Sequence, residues 1–240
     1  MRKREFTTET RRARKKPLLA LRVLSASVVN ALIFTLIVFV VSAQNPTPTT
    51  DTLKKVNSRP VEGRAPKSDP FDRASVEKMS GQCVTLETEE GAIVIEMLPA
   101  KAPETARSFP NLAATGALDT TTFSRVVRGF VIQGGNLSTS EKWSAQLAER
   151  MSRHLPDEPS DFRHVRGVVS MARGDEPRSA TTHFFILVGD GPHLDGKFSA
   201  FGRVVKGMEV TDAINRAPAE GEKPVVPVRI NHAAVAQCQK

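Results

Sequence analysis

The pattern of hydrophobic and polar positions divides the chain into distinct segments. Residues 23–43 form an uncharged apolar run, VLSASVVNALIFTLIVFVVSA, with no polar face. Residues 44–80 show no apolar period and carry five prolines among Thr, Ser, Asp and Lys. From residue 81 onward, apolar positions recur with the periods of strands and helices. The pattern therefore predicts an apolar segment, a flexible linker over 44–80 and a globular body over 81–240.

Within the body, short alternating runs predict β-strands more often than helices. Two of them, at 83–87 and 92–98, are joined through Glu89-Glu90-Gly91, which is typical of a hairpin. Further strands are predicted at 123–133, 165–171, 183–188, 198–205 and 225–235. Helices are predicted at 103–116 and 208–215, and a third at 143–155, where Trp143, Leu147, Met151 and Leu155 recur every four residues. This order predicts a mainly β fold, a closed antiparallel barrel capped by two or three helices.

The apolar run is long enough to cross a membrane. At 1.5 Å per residue its 21 residues span roughly 30 Å, the hydrocarbon thickness of a bilayer. A basic tail, residues 1–22, precedes it, so the positive-inside rule places the N-terminus in the cytoplasm and the body outside, in a periplasmic or extracellular space. The alternative is a signal peptide cleaved after Val41-Ser42-Ala43, which would release a secreted protein. The length of the run favours a single-pass anchor, and both interpretations export the body.

The net charge of +8 comes almost entirely from the basic tail. Residues 1–22 hold nine of the 34 Lys and Arg residues and two acidic residues, which leaves 25 cations against 24 anions in residues 23–240. A nearly neutral body lacks the basic surface that nucleic-acid binding requires. We therefore expect no nucleic-acid partner.

The two cysteines, Cys83 and Cys238, stand near the two ends of the body. In an exported domain they are expected to form a disulfide that ties the first strand to the last, the alternative being two buried free thiols. Neither has a second metal ligand close by in the sequence, so we predict no metal site.

The most informative segment is Phe123–Asn136, FSRVVRGFVIQGGN. Strand alternation places Arg125, Val131 and Gln133 on one face, and Gly129 is a break at which Phe130 can turn toward the same face. A cation, an amide and apolar groups would then converge on one patch. An Arg and a Gln lying solvated on a sheet are the alternative.

This segment closely resembles the signature of the cyclophilins. Three further blocks agree with that family in order and spacing: FRHVRGVVSMA at 162–172, THFFI at 182–186 and LDGKFSAFG at 194–202. The resemblance covers roughly residues 82–237. It implies an eight-stranded barrel, a peptidyl-prolyl cis–trans isomerase activity on proline-containing polypeptides, and no cofactor.

The resemblance also implies roles for individual residues. It makes Arg125 the catalytic arginine and Gln133 a binder of the substrate backbone. The proline pocket would be formed by Phe130, Val131, Phe185 and Leu194, and the peptide would run along Ala172 and Arg173. Three positions of the substrate-binding rim depart from the usual residues of the family: His183 replaces Gln, His193 replaces Trp or another aromatic, and Phe198 replaces His.

The chemistry implied by the resemblance needs no nucleophile, base or metal. When an X–Pro bond twists, its nitrogen regains a lone pair, and a guanidinium aimed at that lone pair stabilises the twisted state more than the planar one. We therefore expect an isomerase with a monomeric body that assists the folding of exported proteins, attached to the membrane through its N-terminal helix. The rival interpretation is a chaperone or scaffold module that binds proline-containing peptides without turning them over.

Overall fold

The computed structural model describes residues 68–239. Its strands are β1 (Gln82–Thr88), β2 (Gly91–Met97), β3 (Arg125–Val127), β4 (Val131–Gly134), β5 (Val168–Met171), β6 (Phe184–Leu187), β7 (Ala200–Lys206), β8 (Ala219–Glu220), β9 (Lys223–Pro224) and β10 (Ile230–Gln237). Its helices are α1 (Val76–Met79), α2 (Pro103–Ala114), α3 (Ala145–Ser152) and α4 (Met208–Arg216), with short 3₁₀ turns at Leu137–Thr139 and Pro192–Leu194.

Eight strands form one antiparallel sheet in the order β10-β1-β2-β7-β5-β6-β4-β3, and β8 and β9 form a separate hairpin. The predicted mainly β fold is confirmed, but the predicted closure of the barrel is wrong: the sheet is curled and open. The edge strand β10 meets the segment that precedes the other edge strand, β3: Ile230 accepts from the Thr120 N–H at 2.7 Å and donates to the Thr121 carbonyl at 2.8 Å. Thr122 and Arg229 form an isolated bridge, and Phe123 donates its N–H to the Val228 carbonyl at 2.9 Å. Because β3 has three residues, no continuous ladder closes the seam.

The structure contains four α-helices in its described residues, where two or three were predicted. The additional helix is α1, which lies in the segment that was predicted to be linker. Ser75 caps it, because its hydroxyl accepts a hydrogen bond from the Lys78 N–H. The helix predicted over 143–155 is shorter, Ala145–Ser152, and Trp143 stands outside it with 46% of its surface exposed.

The last part of the predicted linker packs against the body. Arg150 of α3 makes two hydrogen bonds of 2.7 Å with the Asp69 carboxylate, and both side chains are only 11% exposed. Asn111 of α2 donates to Asp72, and Arg107 donates to the Ala74 carbonyl, both at 2.8 Å. The folded unit therefore begins before the predicted boundary at residue 81.

The main core lies between the sheet and helix α2. Four fully buried aromatic side chains form its centre. The ring centroid of Phe109 lies 5.0 Å from that of Phe184 and 4.9 Å from that of Phe201, and Phe123 packs edge-on against Phe184 at 6.2 Å. These contacts fix the strands that carry the site described below.

The first and last strands in chain order, β1 and β10, pair along the whole length of β1, and a disulfide joins Cys83 to Cys238 across 155 positions of sequence. The alternative of two free thiols does not apply. The predicted β1–β2 hairpin is confirmed, with Gly91 in the turn at a φ of 128°.

The predicted membrane segment, residues 23–43, lies outside the described residues, as do the basic tail and residues 44–67 of the predicted linker. Between residues 68 and 239, none of the helices has the length and apolar character needed to cross a bilayer.

Candidate active site

The centre of the candidate site is the hairpin formed by β3 and β4. The sequence predicted a single strand over 123–133, and this is wrong because Gly129 takes a φ of 72° and reverses the chain. The reversal places Arg125 directly opposite Gln133 in the register of the two strands. Arg125 donates from Nη1 to Oε1 of Gln133 at 3.1 Å. The cation and the amide are therefore brought together, as the alternation predicted.

A cavity of about 160 Å³ opens beside this pair. It is lined by Arg125, Phe130, Val131, Gln133, Ala172, Arg173, Phe185, Leu194 and Phe198. The structure thus gathers nine of the predicted site residues, from five separate parts of the chain, around one space. The other two, His183 and His193, stand next to it.

The apolar part of the cavity belongs to a small second core. Val131, Phe185 and Leu194 are at most 8% exposed and pack against one another beneath the opening. Phe198 packs edge-on against Phe185, with ring centroids 5.9 Å apart. Val131, Phe185 and Leu194 thus line an apolar slot within the cavity. A slot of this size suits a small apolar ring such as that of proline.

Arg173 forms part of the polar rim of the cavity. Its guanidinium lies over the Phe198 ring, 5.1 Å from the centroid, and donates from Nη1 to the Gly174 carbonyl at 3.0 Å. Its Nε is buried without a hydrogen-bond partner among the described residues, and the Asp157 carboxylate stands 3.9 Å from it. These contacts hold Arg173 as part of the wall and leave Arg125 as the cation beside Gln133.

The two histidines occupy different places. His183 lines a neighbouring cavity that also includes Gln133, Ala172 and Arg173. Burial lowers the pKa of His183, so the imidazole is neutral at pH 7. His193 stacks on Phe130, with ring centroids 5.3 Å apart, and so supports the wall of the slot from beside it.

Two functional contacts were missed by the sequence analysis. Glu222 accepts a hydrogen bond from Nε of Arg125 at 2.7 Å, across 97 positions of sequence. This hydrogen bond, together with the positive charge of Arg125, lowers the pKa of Glu222. No local signal in the sequence indicates the contact, because the two residues lie in separate elements.

The second missed residue is Asn215, which is buried on α4. Its Oδ1 accepts from the Gly129 N–H at 2.8 Å, and its Nδ2 donates to the carbonyls of Val127 and Val131 at 2.9 and 3.0 Å. One side chain thereby satisfies three backbone groups at the turn of the β3–β4 hairpin. The sequence pattern predicted the helix, at 208–215, and assigned no role to Asn215.

The structure also contains a serine, a histidine and an aspartate in line. His164 contacts Ser170 Oγ through Nε2 at 2.8 Å and Asp195 Oδ1 through Nδ1 at 3.0 Å. Ser170 and His164 are 0% and 1% exposed, so no substrate reaches the hydroxyl. Burial lowers the pKa of His164, and the hydrogen bond with Asp195 opposes that effect only partly. The set is a buried hydrogen-bond network of the core and does not form a hydrolase triad.

In chemical terms, the cavity offers an apolar slot, a permanent cation and an amide. Its lining contains no serine, cysteine or lysine that could act as a nucleophile. Residues 68–239 hold no cluster of three side chains suited to a metal ion. The arrangement is suited to holding a ring and polarising a bond beside it.

Comparisons with known proteins agree with this geometry. A family model described as cyclophilin type peptidyl-prolyl cis-trans isomerase matches residues 83–235. A probable peptidyl-prolyl cis-trans isomerase of Brucella suis is 34% identical over 149 residues, 60% of this chain and 76% of that protein. Peptidyl-prolyl cis-trans isomerase A of Dickeya dadantii is 37% identical over 146 residues, 59% of this chain and 75% of that protein.

Two further matches extend the comparison. A peptidyl-prolyl cis-trans isomerase of Arabidopsis thaliana is 34% identical over 141 residues, and the match spans 58% of this chain and 62% of that protein. Among solved structures, a cyclophilin-type isomerase of Cryptosporidium parvum, crystallised in the presence of the dipeptide Ala-Pro, is 26% identical with a TM-score of 0.57. That match covers 64% of this chain and 98% of the solved chain.

Proposed function

Since the chain belongs to the cyclophilin-type family of peptidyl-prolyl cis–trans isomerases, we propose that its cavity rotates X–Pro bonds in exported client proteins. The observation that carries the proposal is the convergence of Arg125, Gln133 and Phe185 on one cavity. Isomerase activity follows from the family, and the geometry supports the roles that we propose for individual residues.

The reaction is a rotation that makes and breaks no covalent bond. The peptide bond has partial double-bond character, and rotating it crosses a barrier of roughly 18–20 kcal/mol. For X–Pro bonds the two isomers differ by only about 0.5–1 kcal/mol, so an enzyme finds substrate in both directions. Catalysis therefore depends on stabilising the twisted amide more than either planar form.

Each wall of the cavity has a part in that stabilisation. The slot made by Val131, Phe185 and Leu194 grips the prolyl ring, so that the ring stays fixed while the preceding residue turns. The Arg125 guanidinium stands beside the slot and donates toward the prolyl nitrogen as its lone pair returns. Gln133 holds the substrate backbone and also accepts from Arg125, which keeps both groups in register.

The solved relative that was crystallised with Ala-Pro supports a proline-containing ligand for this cavity. We further propose that the clients are unfolded or partly folded proteins outside the cytoplasm, that the protein assists their folding, and that the body acts as a monomer. The apolar run at 23–43 supports a membrane anchor, with the secreted form as the alternative. Amino-terminal sequencing of the mature protein distinguishes an intact anchor from a cleaved signal.

The test is an isomerase assay of the full-length protein beside its Arg125→Ala variant. We expect turnover of a proline-containing peptide to fall roughly a hundred- to a thousand-fold, as the loss of one preorganised donor typically costs. Arg128→Ala is the matched control, because Arg128 is on the same hairpin and does not line the cavity.

Wild-type turnover in Arg125→Ala would refute the role of the guanidinium. A wild-type protein that binds the peptide and does not accelerate its rotation would instead favour the rival function, a proline-peptide-binding chaperone or scaffold.

A further inference from the structure

The small hairpin formed by β8 and β9 lies against strand β3. Glu222 is in its turn, preceded by Gly221 with a φ of 61°. The Val126 N–H donates to the Glu222 carbonyl at 2.8 Å, so the backbone of the turn is attached to the strand that carries Arg125. The position of the Glu222 backbone is therefore fixed relative to β3.

That side chain reaches the guanidinium of Arg125. Nε of Arg125 donates to Glu222 Oε2 at 2.7 Å, while Nη1 donates to Gln133 at 3.1 Å. Two nitrogens are thus held by acceptors from two different elements. Nη2 has no hydrogen-bond partner within residues 68–239. A long, freely rotating side chain held at two points presents its remaining donor in a fixed direction.

Fold stability does not account for this ion pair. The Arg125 and Glu222 side chains are 42% and 55% exposed. An ion pair in such contact with water is screened and adds little to the stability of a fold. The contact is nevertheless short and is made by Arg125, which also hydrogen-bonds to Gln133 at the cavity, where the orientation of the side chain matters.

We propose that Glu222 is a positioning residue for the isomerisation, acting through Arg125 and not on the substrate. This inference rests on the proposed role of Arg125. The carboxylate fixes the guanidinium from the side of the β8–β9 hairpin, and Gln133 fixes it from the side of β4. Without Glu222, Arg125 samples other rotamers, and the fraction of bound substrate that meets a correctly aimed donor falls.

The Glu222 carboxylate also has an effect that opposes catalysis, because its negative charge offsets part of the positive charge of the Arg125 guanidinium. Two substitutions separate the effects. Glu222→Gln removes the charge and keeps an oxygen that accepts from Nε, whereas Glu222→Ala removes both. Glu220→Ala is the matched control, since Glu220 is exposed on the same hairpin and forms no ion pair with any described residue.

The experiment measures kcat and KM of the full-length protein with a proline-containing peptide. For Glu222→Ala we expect kcat to fall about tenfold with KM nearly unchanged, because a displaced catalytic group costs rate more than binding. Glu222→Gln should keep at least half of the wild-type kcat, and Glu220→Ala should equal wild type. The melting temperature of all three should stay near that of wild type.

The double variant Arg125→Ala/Glu222→Ala tests whether Glu222 acts through Arg125. We expect it to be no slower than Arg125→Ala alone, because the effect of Glu222 has no other route. An equal tenfold loss in both backgrounds, an unchanged kcat in Glu222→Ala, or a Glu222→Gln variant as slow as Glu222→Ala would each overturn the inference. Unchanged activity in Arg125→Ala would refute the role of Arg125 on which this inference rests, and a wild-type protein that does not accelerate the rotation would refute the proposed function, so the failures are distinguishable.

Discussion

At the scale of single residues, some side chains of the site could be predicted from the local sequence pattern and others could not. Arg125 and Gln133 were predicted because alternation along one segment places both on one face, and the register of β3 with β4 sets them opposite each other. Glu222 and Asn215 lie at least 82 positions along the sequence from both Arg125 and Gln133. They approach the β3–β4 hairpin only in the folded sheet. Their contacts depend on tertiary packing, which has no periodic signal.

His164, which does not line the cavity, makes the free energy of unfolding depend on pH. In the folded state burial lowers its pKa, while in the unfolded chain it titrates near 6.5. Below about pH 6.5 the unfolded chain therefore binds a proton that the folded protein resists, and the free energy of unfolding falls as the pH drops. His183 contributes in the same direction, because burial lowers its pKa too.

We predict that His164→Gln weakens the dependence of unfolding free energy on pH between 7 and 5. Urea unfolding at each pH gives the slope, which is independent of how much the substitution itself destabilises the protein. His183→Gln should weaken the slope separately, by its own share. A His164→Gln slope equal to that of wild type would contradict the assignment. Asp195, whose pKa is lowered mainly by the His164 backbone N–H, acts only in a more acidic range, below about pH 4.

At the scale of elements, helix α4 works as a clamp on the turn of the β3–β4 hairpin. The clamp is Asn215, whose side-chain amide hydrogen-bonds to the Gly129 N–H and to the carbonyls of Val127 and Val131 on either side of that glycine. Phe130 and Val131, which line the slot, lie directly after that glycine. The position of the slot wall therefore depends on a helix that never enters the cavity.

We predict that Asn215→Ala lowers the free energy of unfolding by roughly 1–3 kcal/mol, because it leaves buried backbone groups without partners. It should also raise KM more than it lowers kcat, since the slot loses its shape while Arg125 keeps its other contacts. Urea unfolding and peptide kinetics measure the two effects. Glu209→Ala, on the exposed side of the same helix, is the control and should change neither. Unchanged stability and KM in Asn215→Ala would contradict the role of the clamp.

The elements themselves were largely predictable, and the exceptions have local causes. Strands β1 and β2 and helix α2 follow the alternating and helical patterns closely. The segment 123–133 did not remain one strand, because a glycine with a positive φ divides it. The final predicted strand begins five residues late, at Ile230, and Val225 and Val226 are exposed, at 57% and 73%. Apolar character alone therefore placed the start of that strand too early in the sequence.

At the scale of the whole molecule, the disulfide and the active cavity are separate. The disulfide joins Cys83 of β1 to Cys238, directly after β10, and neither cysteine lines the cavity. The bond closes a loop of 155 positions, which restricts the unfolded chain far more than the folded one.

We predict that the Cys83→Ser/Cys238→Ser variant loses roughly 2–5 kcal/mol of unfolding free energy, which is the usual cost of removing a native disulfide. Its kcat and KM at 25 °C should stay within about twofold of wild type, because the cavity walls are held by other contacts. Urea unfolding with and without a thiol reductant checks the first expectation. Reductant should shift the wild-type transition and leave the variant's transition in place; a variant as stable as oxidised wild type would contradict it.

The class of fold could be predicted from the sequence, but its closure could not. A mainly β body with capping helices follows from the count of short alternating runs. Whether the sheet closes depends on how many residues the last edge strand offers, and β3 offers only three. The start of the folded unit was also placed too late, because the Asp69–Arg150 contact joins residues that have no shared period.

The open seam has a consequence for an enzyme whose proposed clients are unfolded chains. An uncovered strand edge is a template to which any extended polypeptide can add itself, and such a client would then remain stuck to the sheet. Here the edge at β3 is short, and its Val126 N–H is already occupied by the turn of the β8–β9 hairpin. At β3, therefore, the protein offers little free backbone to which an extended chain could add as a further strand.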